Sequence, residues 1–504
     1  MRALSRRGFL AGGVAAAGAL AVGCGGRFAG DVDTFTAAFQ GSGAGEGIDP
    51  GVNTLFIDEA RMKAVYDGLF EIDGAMRPIP RLAASGEPNA DGTRWRIVLR
   101  DARWHDGKKV TSRDVLYTLS RVLGPPQRRP FIAAATLDQV DLSQSRAVDD
   151  LTVEIALRTP GFEFLQALSA YGTKIVQDGA TDFSRPVGTG PFVFESFDAG
   201  REFSATAYDH YWDGAPSVRR LRIVSAEPDA RLAAVQSGQI DFADNLTPSA
   251  ARTLQGRQGV SLESTPNSGI YFFAMKTDRP PFDNPDVRRA VMRMVDRAEL
   301  VKVALEGQGD VGNDVFGKGY QYYADLPQHD YNPDEAGRLL RKAGVRDLSF
   351  DLFTAPVAHG FVEAARLFAE QAARCGVRVN VVLGSKDSYY TDALNTGPLT
   401  MGQSGPLSIP SHFASRLLTG SPQNRTKWSD PEFDALYAKA QATPTETGRA
   451  AVYRMMHEIL YDRGGFVFFG NTHWNSATGA KFRDTPAAVP NSHDWARFDK
   501  VVAG

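Results

Sequence analysis

Apolar residues recur with two different periods along this chain. In RWRIVLR (94–100), Trp95, Ile97 and Leu99 alternate with polar neighbours, and LTVEIAL (151–157) does the same with Val153, Ile155 and Leu157. That period of two predicts strands with one buried face. VRVNVVLG (377–384) reads as a further strand, placed just after the helical stretch FVEAARLFAEQAARCG. Other segments switch to the helical period. After Asn284 and Pro285, the positions Val287, Ala290, Val291, Met294 and Val295 fall on one stripe. Asn332-Pro333 opens a second stripe of Ala336, Leu339, Leu340 and Ala343, stopped by Gly344. Asp430-Pro431 opens a third with Phe433, Leu436 and Tyr437. Asn or Asp at the cap with Pro in the first turn is a helix-start signature. Thr111 with Asp114 resembles a capping box. Strands and helices alternate without repeats, which predicts an α/β or α+β protein with mixed sheets.

The first residues follow neither period. An uncharged run from Phe9 to Gly23, mostly Ala and Gly, is too short to span a bilayer, which takes about 20 apolar residues. A basic start, a short apolar stretch and small residues at its end describe an export signal. Arg6-Arg7 after Ser5, followed by Phe9-Leu10, resembles the twin-arginine signal. Ala21-Val22-Gly23-Cys24 resembles a bacterial lipobox, in which the cysteine becomes the lipidated first residue. An ordinary cleaved signal with a chance cysteine is the alternative. The first reading predicts export of a folded protein and a lipid anchor on the outer side of the membrane. The Gly-rich residues 25–33 then read as a tether.

The 504 residues are 43% hydrophobic and 23% charged, a soluble globular composition with room for more than one domain. A net charge of -3 supplies no basic footprint for nucleic acid. With Cys24 lipidated, Cys375 is expected to be a buried, unpaired thiol at a helix end. Signatures of catalysis are missing. The eight histidines form no HExxH pair and there is no CxxC. No GxSxG elbow occurs. GSGAGEG (41–47) lacks the Lys-Ser/Thr of a phosphate loop, and reads as a loop that lets the backbone approach something closely. His105-Asp106-Gly107 reads as a turn. The expectation is a binding protein, not an enzyme, with no cofactor and no metal.

Four stretches in register carry a resemblance: 93–122, with its aromatic residue before Asp106-Gly107; 185–223, with Gly188-Thr189-Gly190-Pro191-Phe192 and Tyr211-Trp212; 231–243; and 280–301, continued by YNPDEAGRLLRKAG and WSDPEFDALYAKA. Together these resemble the large extracytoplasmic solute-binding proteins of ABC importers, family 5, of oligopeptide, dipeptide and nickel-binding type. The resemblance implies an α/β, two-lobed periplasmic-binding-protein fold of type II, with three domains, mixed sheets and a ligand cleft between the lobes. Lobe 1 would take 25–54 (tether and start of its core), an inserted domain 55–184, the core again at 185–265, and a return at 475–504. Lobe 2 would take 266–474. Hinges are expected near Asn267–Tyr271 and Gly470–Trp474. Gly188, Gly190, Pro191, Asp106 and Gly107 would set turns, and Tyr211 and Trp212 would be surface-packing features.

The implied partners are a small solute, peptide first, plus permease and ATPase subunits and the membrane through the lipid. The protein would act as a monomer. A non-peptide solute or a nickel or other metal chelate is the alternative ligand. An extracytoplasmic enzyme or sensor component on the same scaffold is the alternative of another class. Peptide-binding members of the family pair an aspartate of lobe 2 with the peptide's amino terminus. The matching stretch here, 401–420, holds no acidic residue, and burying an ammonium without a counter-charge is costly. Glu46 or Asp387 would have to replace it, or the ligand would lack that amine. The family pattern places the ligand contacts at Gln40, Ser42, Phe131, Tyr271, Gln403, Ser404, Gly405 and Trp474. The cluster Ser388-Tyr389-Tyr390 reads as a pocket lining or an exposed rim.

Overall fold

The computed structural model describes residues 33–504 apart from 42, 44, 53, 54, 126–130, 387, 422 and 486. Arg6, Arg7 and Cys24 of the leader, and Ser42 and Asp387, therefore lie outside the described residues. The strand Thr34–Phe39 is buried along nearly its whole length. It forms the middle of a seven-stranded sheet, parallel to both Arg220–Ser225 and Phe242–Ala243. A strand with neighbours on both edges and both faces covered is buried on both faces, and here Thr36 and Ala38 are buried along with Phe35, Ala37 and Phe39, with no charged residue in the strand. Glu202–Ala207 and Phe192–Asp198 extend the sheet on one side, Trp474–Gly479 and Val260–Thr265 on the other.

From the loop after Phe39 the chain enters the helix Phe56–Val65 and then a four-stranded antiparallel sheet. Its central strands are the two predicted ones, Arg94–Leu99 and Thr152–Leu157, with Trp95 opposite Ile155 and Ile97 opposite Val153. These apolar pairs meet the helix Ser112–Val122 in one core. Thr111 and Asp114 form its capping box, the Thr111 amide donating to the Asp114 carboxylate at 2.7 Å. The chain returns to the seven-stranded sheet through residues 187–191. There the Gly190 amide donates to the Val65 carbonyl at 2.8 Å. A Cβ on Gly188 would lie 1.7 Å from that carbonyl oxygen, so only glycine permits the approach. His105 fastens the same turn, its Nε2 2.9 Å from the Gly190 carbonyl oxygen.

A six-stranded sheet forms the second body, ordered Gly309–Val311, Phe466–Thr472, Ile270–Met275, Leu399–Ser404, Ser349–Thr354, Arg378–Leu383. The helices Pro285–Arg293, Arg297–Ala304, Pro333–Lys342 and Phe361–Arg374 contribute to one core with it, and Pro431–Gln441 and Glu446–Arg463 to another. Asn284, Asn332 and Asp430 accept amide hydrogens as caps. The stripe from Val287 to Val295 is buried throughout. The helix nevertheless stops at Arg293, because Asp296 caps a new one and takes the Glu299 amide at 3.0 Å. Cys375 is unpaired but only half-buried, a correction to the expected buried thiol. Tyr211 and Trp212 also differ from the expected surface features. Both donate to the buried carboxylate of Asp67, at 3.0 Å each, and Tyr211 is itself buried.

The chain passes between the seven- and six-stranded sheets twice, at 266–269 and at His473. The two passages run together: the Ser268 amide donates to the Thr472 carbonyl at 2.9 Å and the Thr472 amide to the Gly269 carbonyl at 2.8 Å. Tyr271 and Gly470 sit inside strands just beyond the crossings rather than within them. Among the described residues no helix is long and apolar enough to cross a membrane.

Candidate functional site

Beside the paired crossings the two sheets present side chains to each other. Trp474 begins its strand immediately after His473 and is buried. Its indole Nε1 donates to Asp244 Oδ1 at 3.0 Å. Burial pushes the Asp244 carboxyl up to about 7, against the Trp474 hydrogen bond and the Arg231 charge, which act the other way. The Trp474 ring lies 4.6 Å, centroid to centroid, from Phe56, the first residue of the helix Phe56–Val65. Across the gap, Gly405 follows the strand Leu399–Ser404 of the second sheet, and a Cβ on it would sit 3.5 Å from Phe56 Cζ. Residues far apart in sequence thus form one seam between the bodies: Phe56, Gly405 and Trp474.

Ser404 is buried at that seam, its hydroxyl donating to the Gly405 carbonyl at 3.0 Å. Gln403 is exposed and hydrogen-bonded to Tyr390. Tyr271 is paired in register with Gln403, yet its ring packs on Phe361 at 5.2 Å and its hydroxyl donates to the His359 carbonyl at 2.9 Å. Burial raises that phenol above its ordinary range. Tyr389 is a core residue, hydrogen-bonded to the carbonyls of Phe353 and Met401, while Tyr390 is exposed. Gln40 is exposed at the end of the central strand. Phe131 stands elsewhere, under the Arg121 guanidinium at 4.6 Å and against Gly51. The structure therefore brings Ser404, Gly405 and Trp474 together, with Gln403 and Tyr271 alongside, and sets Phe131 apart. Phe56 completes the group. Its part was hidden in sequence because a helix-opening phenylalanine looks like any core residue.

Glu46 does not face the seam as a free carboxylate. It pairs with Arg61 at 2.8 Å, both side chains sealed from solvent, and accepts the Gly43 amide at 3.2 Å and the Gly200 amide at 3.3 Å.

Farther from the crossings the bodies are in contact again. The Phe162 amide donates to the Gln441 carbonyl at 2.9 Å. Glu163 is buried and receives the Tyr453 hydroxyl and Gln441 Nε2, with Arg449 at 3.5 Å. Burial raises the Glu163 carboxyl, and these partners oppose the rise. On another flank Arg252 pairs with Glu306. Two bodies are thus joined by a pair of crossing segments and touch at the seam, around Glu163 and at Arg252.

Comparison with known proteins gives this geometry its place. Residues 77–424 match the model for bacterial extracellular solute-binding proteins, family 5 Middle. The chain is 28% identical to heme-binding protein A of Haemophilus influenzae, over 81% of this chain and 82% of that protein. It is 25% identical to the dipeptide-binding protein of Escherichia coli, over 86% and 89% respectively. The solved structure of HbpA2 from Haemophilus parasuis superposes with a TM-score of 0.81 at 20% identity, covering 94% of this chain and all of that one (100%). The chain belongs to family 5 of the extracellular solute-binding proteins, the binding components of ABC importers.

Proposed function

We infer that this protein is the receptor of an ABC importer, which captures a peptide-like solute between two lobes and hands it to a membrane permease. Lobe 1 comprises the seven-stranded sheet with the inserted four-stranded body (55–184), and lobe 2 the six-stranded body (266–474). The single observation behind the reading is the double crossing beside Trp474. It lets two rigid sheets rotate about a short pair of segments while Phe56 and Gly405 close on each other. A solute that contacts both lobes binds the closed state better and shifts the population toward it. The dipeptide-binding relative, similar along most of the chain, favours a peptide-like solute. Export through Arg6-Arg7, anchoring through Cys24 and action as a monomer without turnover complete the reading. The anchor raises the local concentration of receptor near its permease.

Native mass spectrometry tests it on protein purified gently from its host, followed by identification of what denaturation releases. A family of short peptides is the expected result. A single species without peptide bonds would refute the peptide reading.

A further inference from the structure

The stretch 401–420 lacks acid, and in the structure it supplies a cation to the seam. Arg416 closes the helix Ile409–Arg416, and its Nη1 donates to Ser404 Oγ. Its Nε is sealed from solvent with no hydrogen-bond partner. Among the described residues no carboxylate pairs with it. Burial brings the guanidinium down to about 10, and the nearby charge of Arg425 pushes the same way. Arg425 in turn donates to Asn395, and among the described residues no acid pairs with it.

Arg416 is half-buried, and an unpartnered Nε also occurs at the buried Arg61, Arg231 and Arg297; the buried arginines differ in what the rest of the guanidinium meets. Arg61 meets Glu46, Arg297 meets Asp314, and Arg497 meets Asp499 and Asp213. Arg288 and Arg231 donate to main-chain carbonyls. Arg416 has one serine hydroxyl. One turn earlier on the same helix, His412 is buried with neither ring nitrogen hydrogen-bonded. Its ring stacks on Phe316 at 3.7 Å. Burial first, then the Arg416 charge, holds that imidazole well below its ordinary value, so it is neutral at pH 7 and offers no counter-charge. A half-buried cation held by one serine hydroxyl, with no acid among the described residues, is incompletely compensated. It stands beside Ser404, next to the Gly405 that meets Phe56 of the other lobe.

We propose that Arg416, with Ser404, receives a carboxylate of the captured solute at the seam. A guanidinium presents a planar fork that matches a carboxylate bidentately, and Ser404 fixes one of its nitrogens. The choice of peptide probes rests on the peptide-like reading above; the need for an acidic group does not.

The test uses the purified protein stripped of co-purified solute in urea and refolded, titrated calorimetrically with trialanine, its C-terminal amide and its N-acetyl derivative. The acid is expected to bind at least about tenfold more tightly than the amide, the worth of one charge-assisted contact, with N-acetylation changing little. Arg416→Gln should erase that preference, bringing the acid-to-amide affinity ratio down to about one. If Arg416→Gln does not fold, Arg416→Lys carries the test, since it keeps the charge and loses the fork; the preference should then fall about threefold or more. Equal binding of acid and amide, or an unchanged ratio in the folded variants, overturns the proposal. If no probe binds, the solute co-purifying with wild-type protein decides. An acidic non-peptide species, lost from Arg416→Gln or Arg416→Lys, refutes the peptide reading and upholds the carboxylate site. A species without an acidic group, equal retention by the variants, or no retained species overturns the carboxylate site.

Discussion

Asp244 shows how one buried group can tie solution conditions to the seam. Its carboxyl is raised from 3.8 to about 7 by burial, and it accepts the Trp474 indole hydrogen. The folded chain therefore holds this proton more tightly than the unfolded chain does. The stabilisation is complete below the unfolded value and is lost as pH climbs through about 7. Across that whole window it amounts to at most about 4 kcal/mol. Asp244→Asn keeps an oxygen for Trp474 and removes the titration. Urea denaturation between pH 5 and 8.5 should show wild-type stability falling with pH relative to Asp244→Asn by one to several kcal/mol. Parallel profiles for the two proteins would mean that Asp244 does not titrate in this range.

The turn at 187–191 and the helix Pro333–Lys342 make a paired test of what glycine does in each. A methyl at Gly188 would lie 1.7 Å from the Val65 carbonyl oxygen, with backbone rather than a movable side-chain tip in the way. Gly188→Ala should destabilise by about 2 kcal/mol or more, read as a lowered denaturation midpoint. At Gly337, inside a helix, the same methyl would meet only the end of the Arg341 side chain at 3.4 Å. Gly337→Ala should stabilise by about 0.5–1 kcal/mol through helix propensity, and a loss there would count against this account. These local rules also explain how much could be read from sequence. Asn284, Asn332 and Asp430 act within a few residues of the helices they cap, and Trp95, Ile97 and Leu99 alternate within one strand, so their signals are contiguous. The break at Met294 was missed because Asp296 competes as a second cap inside an unbroken apolar stripe. Tyr211 and Trp212 were misplaced because their partner, Asp67, is more than a hundred residues away. The seam was legible only in part. Ser404, Gly405 and Trp474 followed from family pattern, whereas Phe56 and Arg416 become meaningful only when strands from both lobes are side by side.

Between the two bodies, closure depends on contacts that do not touch the seam, and this gives the molecule a separable handle on its open–closed balance. Glu163 belongs to the inserted body and Tyr453, Gln441 and Arg449 to the other; the half-buried Gln441 and Arg449 meet the buried Glu163 and Tyr453 in one cluster. Opening the lobes would return this carboxylate and its donors to water. Truncating one member while the others stay buried forfeits the hydrogen bonds and strands their polar atoms. Glu163→Ala should therefore weaken the closed state specifically, because each body keeps its own core. Solution scattering of solute-free protein should show a larger radius of gyration for Glu163→Ala than for wild type. Where only the closed state grips solute from both sides, apparent affinity falls by the same factor as the closed population. A loss of about 1.4 kcal/mol in closure would thus appear as a roughly tenfold weaker Kd once closure is no longer saturating. The thermal midpoint of the solute-free chain should move by only a few degrees, because the mutation removes contacts between bodies rather than within one. A variant with unchanged radius and unchanged affinity would show that the hinge geometry and the Phe56–Gly405 contact set the closed state by themselves, and that the distant cluster merely follows.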